Sequence, residues 1–370
     1  MIKVLKQLKN RASLNRIGDS AINMVMVITA VVSGIAISMG IIVLSGYSPV
    51  AALKALIDGS VGSRSRIAIT AARMSPLVVV SLGWIVAFRA SKVNLGLQGQ
   101  LIAGGIAAGV VAIEGPPLPP ALAIALATLI GIMAGALYAA IAAVLWAKRG
   151  VNEIVSTLML TFIAVQVLAW LIRGPIRDPA SASFQSKPLQ SNYRWPALVE
   201  RTPFTLEVIL TLATVAALVF VLSKTTFGFK LRLTGQNTES ARHAGINTLR
   251  INVMSFVLSG GLAGLAGAGL VLGGERQVIS GSLGGSIGFT GIIVALVALN
   301  SPVGCVIAAA LFASLDTGGS LMQSRADIPS ETILITQGII VVFVGISGLM
   351  VGKWKARRIL AGTNSGNKIQ

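Results

Sequence analysis

The sequence predicts an all-α polytopic membrane protein. About ten transmembrane helices are expected, in two inverted pseudo-repeats, with some helices short or broken and both termini cytoplasmic. Three observations point there. Hydrophobic residues make up 54% of the 370 positions and charged residues only 11%, against the quarter or so charged in a soluble protein. The apolar residues gather into runs about as long as a bilayer crossing, about 20 residues. The basic residues sit in short segments between those runs. Mean hydropathy is +0.82. One cysteine, Cys305, excludes a disulfide within the chain, and with a single histidine, His243, a zinc or His/Cys catalytic site is not expected.

Taken in order, the first run covers roughly 20–45, with no charge between Asp19 and Lys54. It follows a basic tail, as a signal peptide would, but is too long for a signal core and reads as a retained anchor. The next runs cover roughly 67–88, 97–113, 119–146, 153–172, 203–223 and 251–273. Two short runs, 288–299 and 302–316, flank Ser301-Pro302, and the last covers 334–352. Between Arg73 and Arg89 lie only 15 residues, about 22 Å of helix, short of a hydrocarbon core about 30 Å thick. Short, Gly/Pro-interrupted segments in a membrane protein commonly line a cavity. The pattern Gly96-Leu-Gln-Gly99 opens one run and Gly288-Phe-Thr-Gly291 opens another of opposite direction. An inverted repeat produces such a match, and so does helix packing through glycines.

Charge sets the orientation. An even number of spans puts both tails on one side. That side receives 19 of the 30 Lys and Arg and only three acids, Asp19, Glu153 and Glu239. The positive-inside rule makes it cytoplasmic. The net charge of +18 is thereby a topology signal, and nucleic acid is not an expected partner. The expected organisation is a cytoplasmic basic tail (1–18), a membrane domain (19–352) and a cytoplasmic tail (353–370). Within the membrane domain the loop 224–250 is cytoplasmic and 173–203 periplasmic.

Four segments carry most of the remaining information. In Phe88–Gln100, the side chains Asn94, Gln98 and Gln100 crowd beside glycines just before an apolar helix; free N–H groups there can hold a polar ligand, or the stretch is a capped loop. In Gly150–Thr161, Asn152 can cap a helix whose face bears Glu153, Ser156, Thr157 and Thr161. Such a stripe lines either a helix contact or a pore. In Gly235–Asn247, Asn237 or Thr238 can cap a short helix, Glu239 occupies its first turn and Gly245 closes it. That suits docking to another protein, or an interfacial helix. In Gly288–Gly304, Asn300 stands at a helix break.

Some chemistry is missing. The chain has no Gly-x-x-x-x-Gly-Lys-Ser/Thr phosphate loop. Carboxylates within the runs are scarce, which disfavours a proton- or sodium-driven carrier. No nucleophile, base or metal cluster converges in sequence, so a catalytic site and a metal site are not expected.

At these four segments the chain resembles the permease subunits of bacterial ABC importers, in the branch holding the ribose-type and branched-chain amino acid permeases. Within it the resemblance is greatest to simple-sugar/nucleoside permeases. Those carry Phe-Arg-Ala-Gly-x-Phe-Asn-Ile-Gly-x-Glu-Gly-Gln where this chain has FRASKVNLGLQGQ, and Gly-x-Asn-Glu-x-x-Ser-Thr-x-Met-Leu-Asn where it has GVNEIVSTLMLT. They carry Gly-x-Asn-x-x-Ala-Ala-x-x-Ala-Gly-Ile where it has GQNTESARHAGI. Their Gly-Phe-x-Gly-Ile-x-Val-Ala-Leu-x-x-x-x-x-Pro-x-Gly stands where it has GFTGIIVALVALNSPVG. Order and spacing match over roughly 20–352. Gln98 replaces the family's Glu, and Thr161 its Asn.

The resemblance implies a non-enzymatic half-transporter in the bacterial inner membrane, moving a nucleoside or simple sugar. Its partners would be a separate ATPase that binds ATP and Mg, a second permease (a heterodimer first), and a periplasmic or lipoprotein substrate-binding protein. No cofactor is expected in this chain. Asn94, Gln98, Gln100, Ser156, Thr157 and Thr161 are the expected substrate pathway. Asn237, Thr238, Glu239, Arg242 and Gly245 are the expected ATPase-coupling residues. The alternative function is an ion-coupled secondary carrier of a small polar solute.

Overall fold

A computed structural model describes residues 28–275, 277–278, 283–329 and 331–346, together with Val25. The expected tails, 1–18 and 353–370, lie outside the described residues, as do most of 20–27 and all of 347–352. The chain divides into two compact units, Ser60–Thr317, and Met1–Gly59 with Gly318–Gln370.

The described residues are helical, with no strand among them. In chain order the helices are α1 (Ile28–Leu44), α2 (Pro49–Val61), α3 (Arg64–Phe88), α4 (Leu97–Glu114), α5 (Pro120–Arg149), α6 (Glu153–Arg173), α7 (Glu207–Lys224), α8 (Thr226–Gln236), α9 (Thr238–His243), α10 (Thr248–Gly269), α11 (Ile287–Val297), α12 (Pro302–Ala326) and α13 (Glu331–Ile346). A π turn, Leu270–Glu275, continues α10. Seven of these helices are long and apolar enough to cross a membrane: α3 to α7, α10 with its π turn, and α12. Each of the other three predicted runs contains a shorter apolar helix, α1, α11 or α13.

The larger unit is built on glycine. Helices α4, α5 and α10 meet through Gly104, Gly131, Gly135, Gly260 and Gly264. A Cβ on Gly135 would stand 2.7 Å from the Gly264 Cα, and one on Gly131 would stand 3.0 Å from the Gly104 carbonyl oxygen. Small residues let backbones approach within van der Waals contact, which is how helices associate in lipid, where no hydrophobic effect drives them together. Helices α3, α4 and α10 bury most of their residues, whereas α5 to α7 turn large apolar side chains such as Leu137, Phe162, Trp170 and Phe220 outward. In the smaller unit Gly34 packs on Ile340, Gly59 on Leu321 and Gly319 on Ile333.

Loops group at two ends of the larger unit. The segment after α6 is pinned to the α4–α5 turn: Gln190 Nε2 donates to the Ile113 and Gly115 carbonyls (3.0 and 3.1 Å). Asn192 Nδ2 reaches Leu118 O (3.0 Å) and the Tyr193 hydroxyl Pro116 O (2.9 Å). Trp195 N donates to Leu272 O in the π turn (3.0 Å). At the other end the turn after α3 meets the end of α8, where Ser91 Oγ donates to Gly235 O (2.6 Å), and Lys92 pairs with Glu153 at the start of α6 (3.2 Å).

Several predicted boundaries move. Helix α3 is continuous from Arg64, 25 residues and about 37 Å long. Arg73 therefore lies inside a full-length span, paired with Asp316. Asp316, which ends the predicted run, is paired with Arg73, and α12 runs on past it to Ala326. The predicted run at 203 begins as helix only at Glu207. Residues before it bond back to the loop, with Leu198 N donating to Phe204 O (2.8 Å). Helix α2, which carries Lys54 and Asp58, corresponds to no predicted run.

Candidate functional site

Three of the four segments singled out in the sequence meet in one place. Asn94, wholly buried, is the hub. Its Nδ2 donates to Gln100 Oε1 and Ser259 Oγ, both at 2.9 Å, and its Oδ1 accepts from Gly96 N and Gln100 Nε2, both at 3.0 Å. The connection before α4 is thus folded onto that helix's first turn and tied to α10. Gln98, also buried, reaches the fourth segment. Its Oε1 accepts from Gly288 N at 2.5 Å, and its Nε2 donates to Leu283 O at 2.7 Å. An orphan N–H in the first turn of α11 is therefore satisfied from the first turn of α4.

The polar stripe of α6 packs against the same turn. A Cβ on Gly96 would stand 3.0 Å from Thr157 Cβ, and one on Gly99 would stand 2.8 Å from Thr161 Cα. These two glycines are where close approach requires the absence of a side chain. Ser156, Thr157 and Thr161 are buried. Their hydroxyls bond back along α6, Thr157 to Glu153 O (2.7 Å) and Thr161 to Thr157 O (3.2 Å). Asn152 caps α6 through Ile154 N (2.9 Å). Lys92 lies 3.8 Å from the Trp146 ring centre while pairing with Glu153. Asn300 accepts from the Trp84 indole (3.1 Å) and, with Leu299, has left-handed φ in the turn before Pro302.

The third segment stands apart from this cluster. Asn237 caps the six-residue α9 through Ser240 N (2.9 Å), with Glu239 in the first turn. Glu239 lies 3.4 Å from Arg242 and 4.0 Å from His243. Thr238 donates to Thr234 O (3.1 Å), and Gly245 takes φ +76, the left-handed closing conformation. Nearby, burial and then the charge of Arg232 lower the Arg89 pKa from its ordinary value, while Arg232 itself donates to the Leu222 carbonyl.

Two buried polar residues escaped the sequence reading. Ser259 looked like one more small residue among glycines. Glu207 lies near the end of an apolar run; in the structure it is 8% exposed and accepts from Ser75 Oγ at 3.0 Å. A carboxylate in the first turn of a long apolar run was the available signal.

The nucleoside ABC transporter permease protein NupB of Lactococcus lactis subsp. cremoris (strain MG1363) is 29% identical over 325 residues, 86% of this chain and 89% of that protein. The guanosine ABC transporter permease protein NupP of Bacillus subtilis (strain 168) is 31% identical over 340 residues, 89% of this chain and 95% of its own length. The glucose ABC transporter permease protein TsgB13 of Haloferax volcanii is 30% identical over 282 residues, covering 74% of each. No solved structure matches the chain. The family model described as branched-chain amino acid transport system / permease component matches residues 66–345. With most of its length matched in this way, and its motifs gathered in one buried cluster and one capped loop helix, the chain belongs to that family of transport permeases.

Proposed function

We propose that the chain is the transmembrane permease subunit of a bacterial ABC importer for a nucleoside or simple sugar, driven by ATP hydrolysis in a separate subunit. The observation that carries this reading is the family match over 66–345, joined to relatives of nearly full coverage that are named nucleoside and guanosine ABC transporter permeases. The finer reading is ten spans in two inverted halves in the inner membrane, both tails cytoplasmic, and a heterodimer with a second permease. The orientation is supported by the charge asymmetry of the sequence, and the two halves by the meeting of α4 and α11 through Gln98 and Gly288.

The loop 224–250 is the ATPase-coupling element, with Asn237, Thr238, Glu239, Arg242 and Gly245 shaping its helix. The loop 173–203, of mixed charge and with five prolines, faces the periplasm and helps dock the binding protein. Asn94, Gln98, Gln100, Ser156, Thr157 and Thr161 flank the route. Uncharged polar groups suit a hydroxyl-rich solute, because their hydrogen bonds exchange without leaving a charge unpaired.

Reconstitution tests the function. Proteoliposomes holding this chain, its partner permease, the ATPase and the binding protein should accumulate uridine or ribose with ATP, and vanadate should stop uptake. Uphill uptake without the ATPase subunit would end the ABC reading and favour an ion-coupled carrier.

A further inference from the structure

A cavity of about 530 Å³ opens between α3, α7, the segment before α7 and the π turn, bordered by Ala72, Arg73, Pro76, Arg201, Glu207 and Gly274. Two of its walls are irregular backbone. Pro76 lies inside α3 and has no N–H, so the carbonyl of Ala72 one turn earlier loses its helical partner. Opposite, α10 loosens into the π turn Leu270–Glu275. Within a spanning bundle such backbone is tolerated where it is buried in protein or lines a cavity, and π turns are frequent at functional sites.

A buried carboxylate belongs to the same wall. Ser75 Oγ donates to Glu207 Oε1 at 3.0 Å, and the Ser75 and Thr211 hydroxyls lie 2.5 Å apart. Glu207 Oε2 accepts from none of the described residues. Beside it Thr205 Oγ1 is buried and has no hydrogen-bond partner among the described residues. Both oxygens border Gly273 of the π turn, where a Cβ would stand 2.9 Å from Oε2 and 3.1 Å from Oγ1. Gly269 leaves the room that Oε1 occupies. Two arginines stand at the cavity edge, Arg201 and Arg73, the latter paired with Asp316. The wall also presents the Glu207 carboxylate, with Thr205 buried beside it, and an intramembrane carboxylate is costly enough that it marks function by default.

We infer that this cavity is a substrate subsite in which Glu207 Oε2 and Thr205 Oγ1 receive adjacent hydroxyl or N–H donors of a neutral solute, with Ser75 and Thr211 as positioning residues. The inference rests on the permease reading. Its solute class is one with neighbouring donors, such as a ribose diol or the amino edge of a nucleobase. On the topology proposed above, Ser75 lies 14 residues before Arg89, about 21 Å along α3 from its cytoplasmic end, so the subsite belongs to the outer half of the route. It is thus distinct from the Asn94 cluster near that cytoplasmic end.

The test uses the complete reconstituted transporter with uridine and ribose as probes. Glu207→Gln should lower the maximal uptake rate or raise KM at least tenfold, and Glu207→Asp should recover part of it. Complex yield should stay within twofold. Ala72→Cys should react with an impermeant maleimide from the binding-protein side, and uridine should slow the reaction at least threefold at fixed binding protein. Uptake per assembled complex within twofold of wild type in both Glu207→Gln and Glu207→Ala overturns the subsite, as does labelling that solute leaves unchanged. If Glu207 variants fail to assemble, protection at Ala72→Cys decides alone. A wild-type complex that moves neither probe with ATP refutes the permease reading for these solutes instead.

Discussion

Replacing Asn94 by alanine removes four hydrogen bonds at once, those to Gln100 Oε1 and Ser259 Oγ and those from Gly96 N and Gln100 Nε2. It strands one backbone N–H and both ends of a buried carboxamide. A buried polar group left unsatisfied costs about 1–3 kcal/mol, and three such groups set an upper range of about 3–9 kcal/mol. Side-chain hydrogen bonds measured in a membrane bundle average only about 0.6 kcal/mol, so four of them give about 2.4 kcal/mol. The smaller figure governs the contact to Ser259 on another helix. The larger governs Gly96, whose N–H has no other acceptor in its turn. We therefore expect Asn94→Ala to destabilise the chain by about 3 kcal/mol, roughly a hundredfold in the folding equilibrium at tenfold per about 1.4 kcal/mol. The assay is the yield and thermal stability of the detergent-extracted complex, read beside initial uptake. Because the two carboxamides share bonds, Asn94→Ala with Gln100→Ala should cost less than the sum of the two single changes. Unchanged yield and stability with uptake lost would refute the reasoning and place Asn94 on the route rather than in the frame.

Three further outcomes are expected. Gly264→Leu should cut the yield of folded protein at least tenfold, since its side chain must displace the backbone of Gly131 and Gly135; measuring monodisperse protein after extraction checks this. Glu239→Ala and Gly245→Leu should leave substrate delivery intact while uncoupling ATP hydrolysis from uptake. Leucine at φ +76 is strained by about 1–2 kcal/mol, and normal coupling in both variants would sink the docking assignment. A cysteine at exposed Ser191 should react with an impermeant thiol reagent in intact spheroplasts, and labelling confined to inside-out vesicles would reverse the orientation.

The apolar helices were legible because lipid imposes length and composition on each span, independently of its neighbours. The caps were legible for the same local reason: Asn152, Asn237 and Gly245 do in the structure what their positions predicted. What lay hidden depends on pairing across the fold. Arg73 made the charge-free stretch before Arg89 look too short to span, because Asp316, 243 residues away, is not visible as its partner in sequence. Helix α2 was passed over because Lys54 and Asp58 interrupt its apolar pattern. The segments at 94–100 and 157–161 were read as two features. Only the absence of side chains at Gly96 and Gly99 reveals that they are one. Glu207 needed a third dimension altogether, since its cover comes from α3 and the π turn.

The clamp between the turn after α3 and the end of α8 has a mechanical consequence. Gly235 sits so close to the Arg89 backbone that no side chain fits, and Ser91 locks the contact from the other side at 2.6 Å. Only two residues separate Ser91 from Asn94, and on the far side α9 follows α8 directly through Asn237. A push on α9 therefore enters a short, stiff linkage with no slack loop to absorb it. Close-packed contacts transmit strain rather than dissipate it. That linkage ends at the polar knot where α4, α6 and α11 begin.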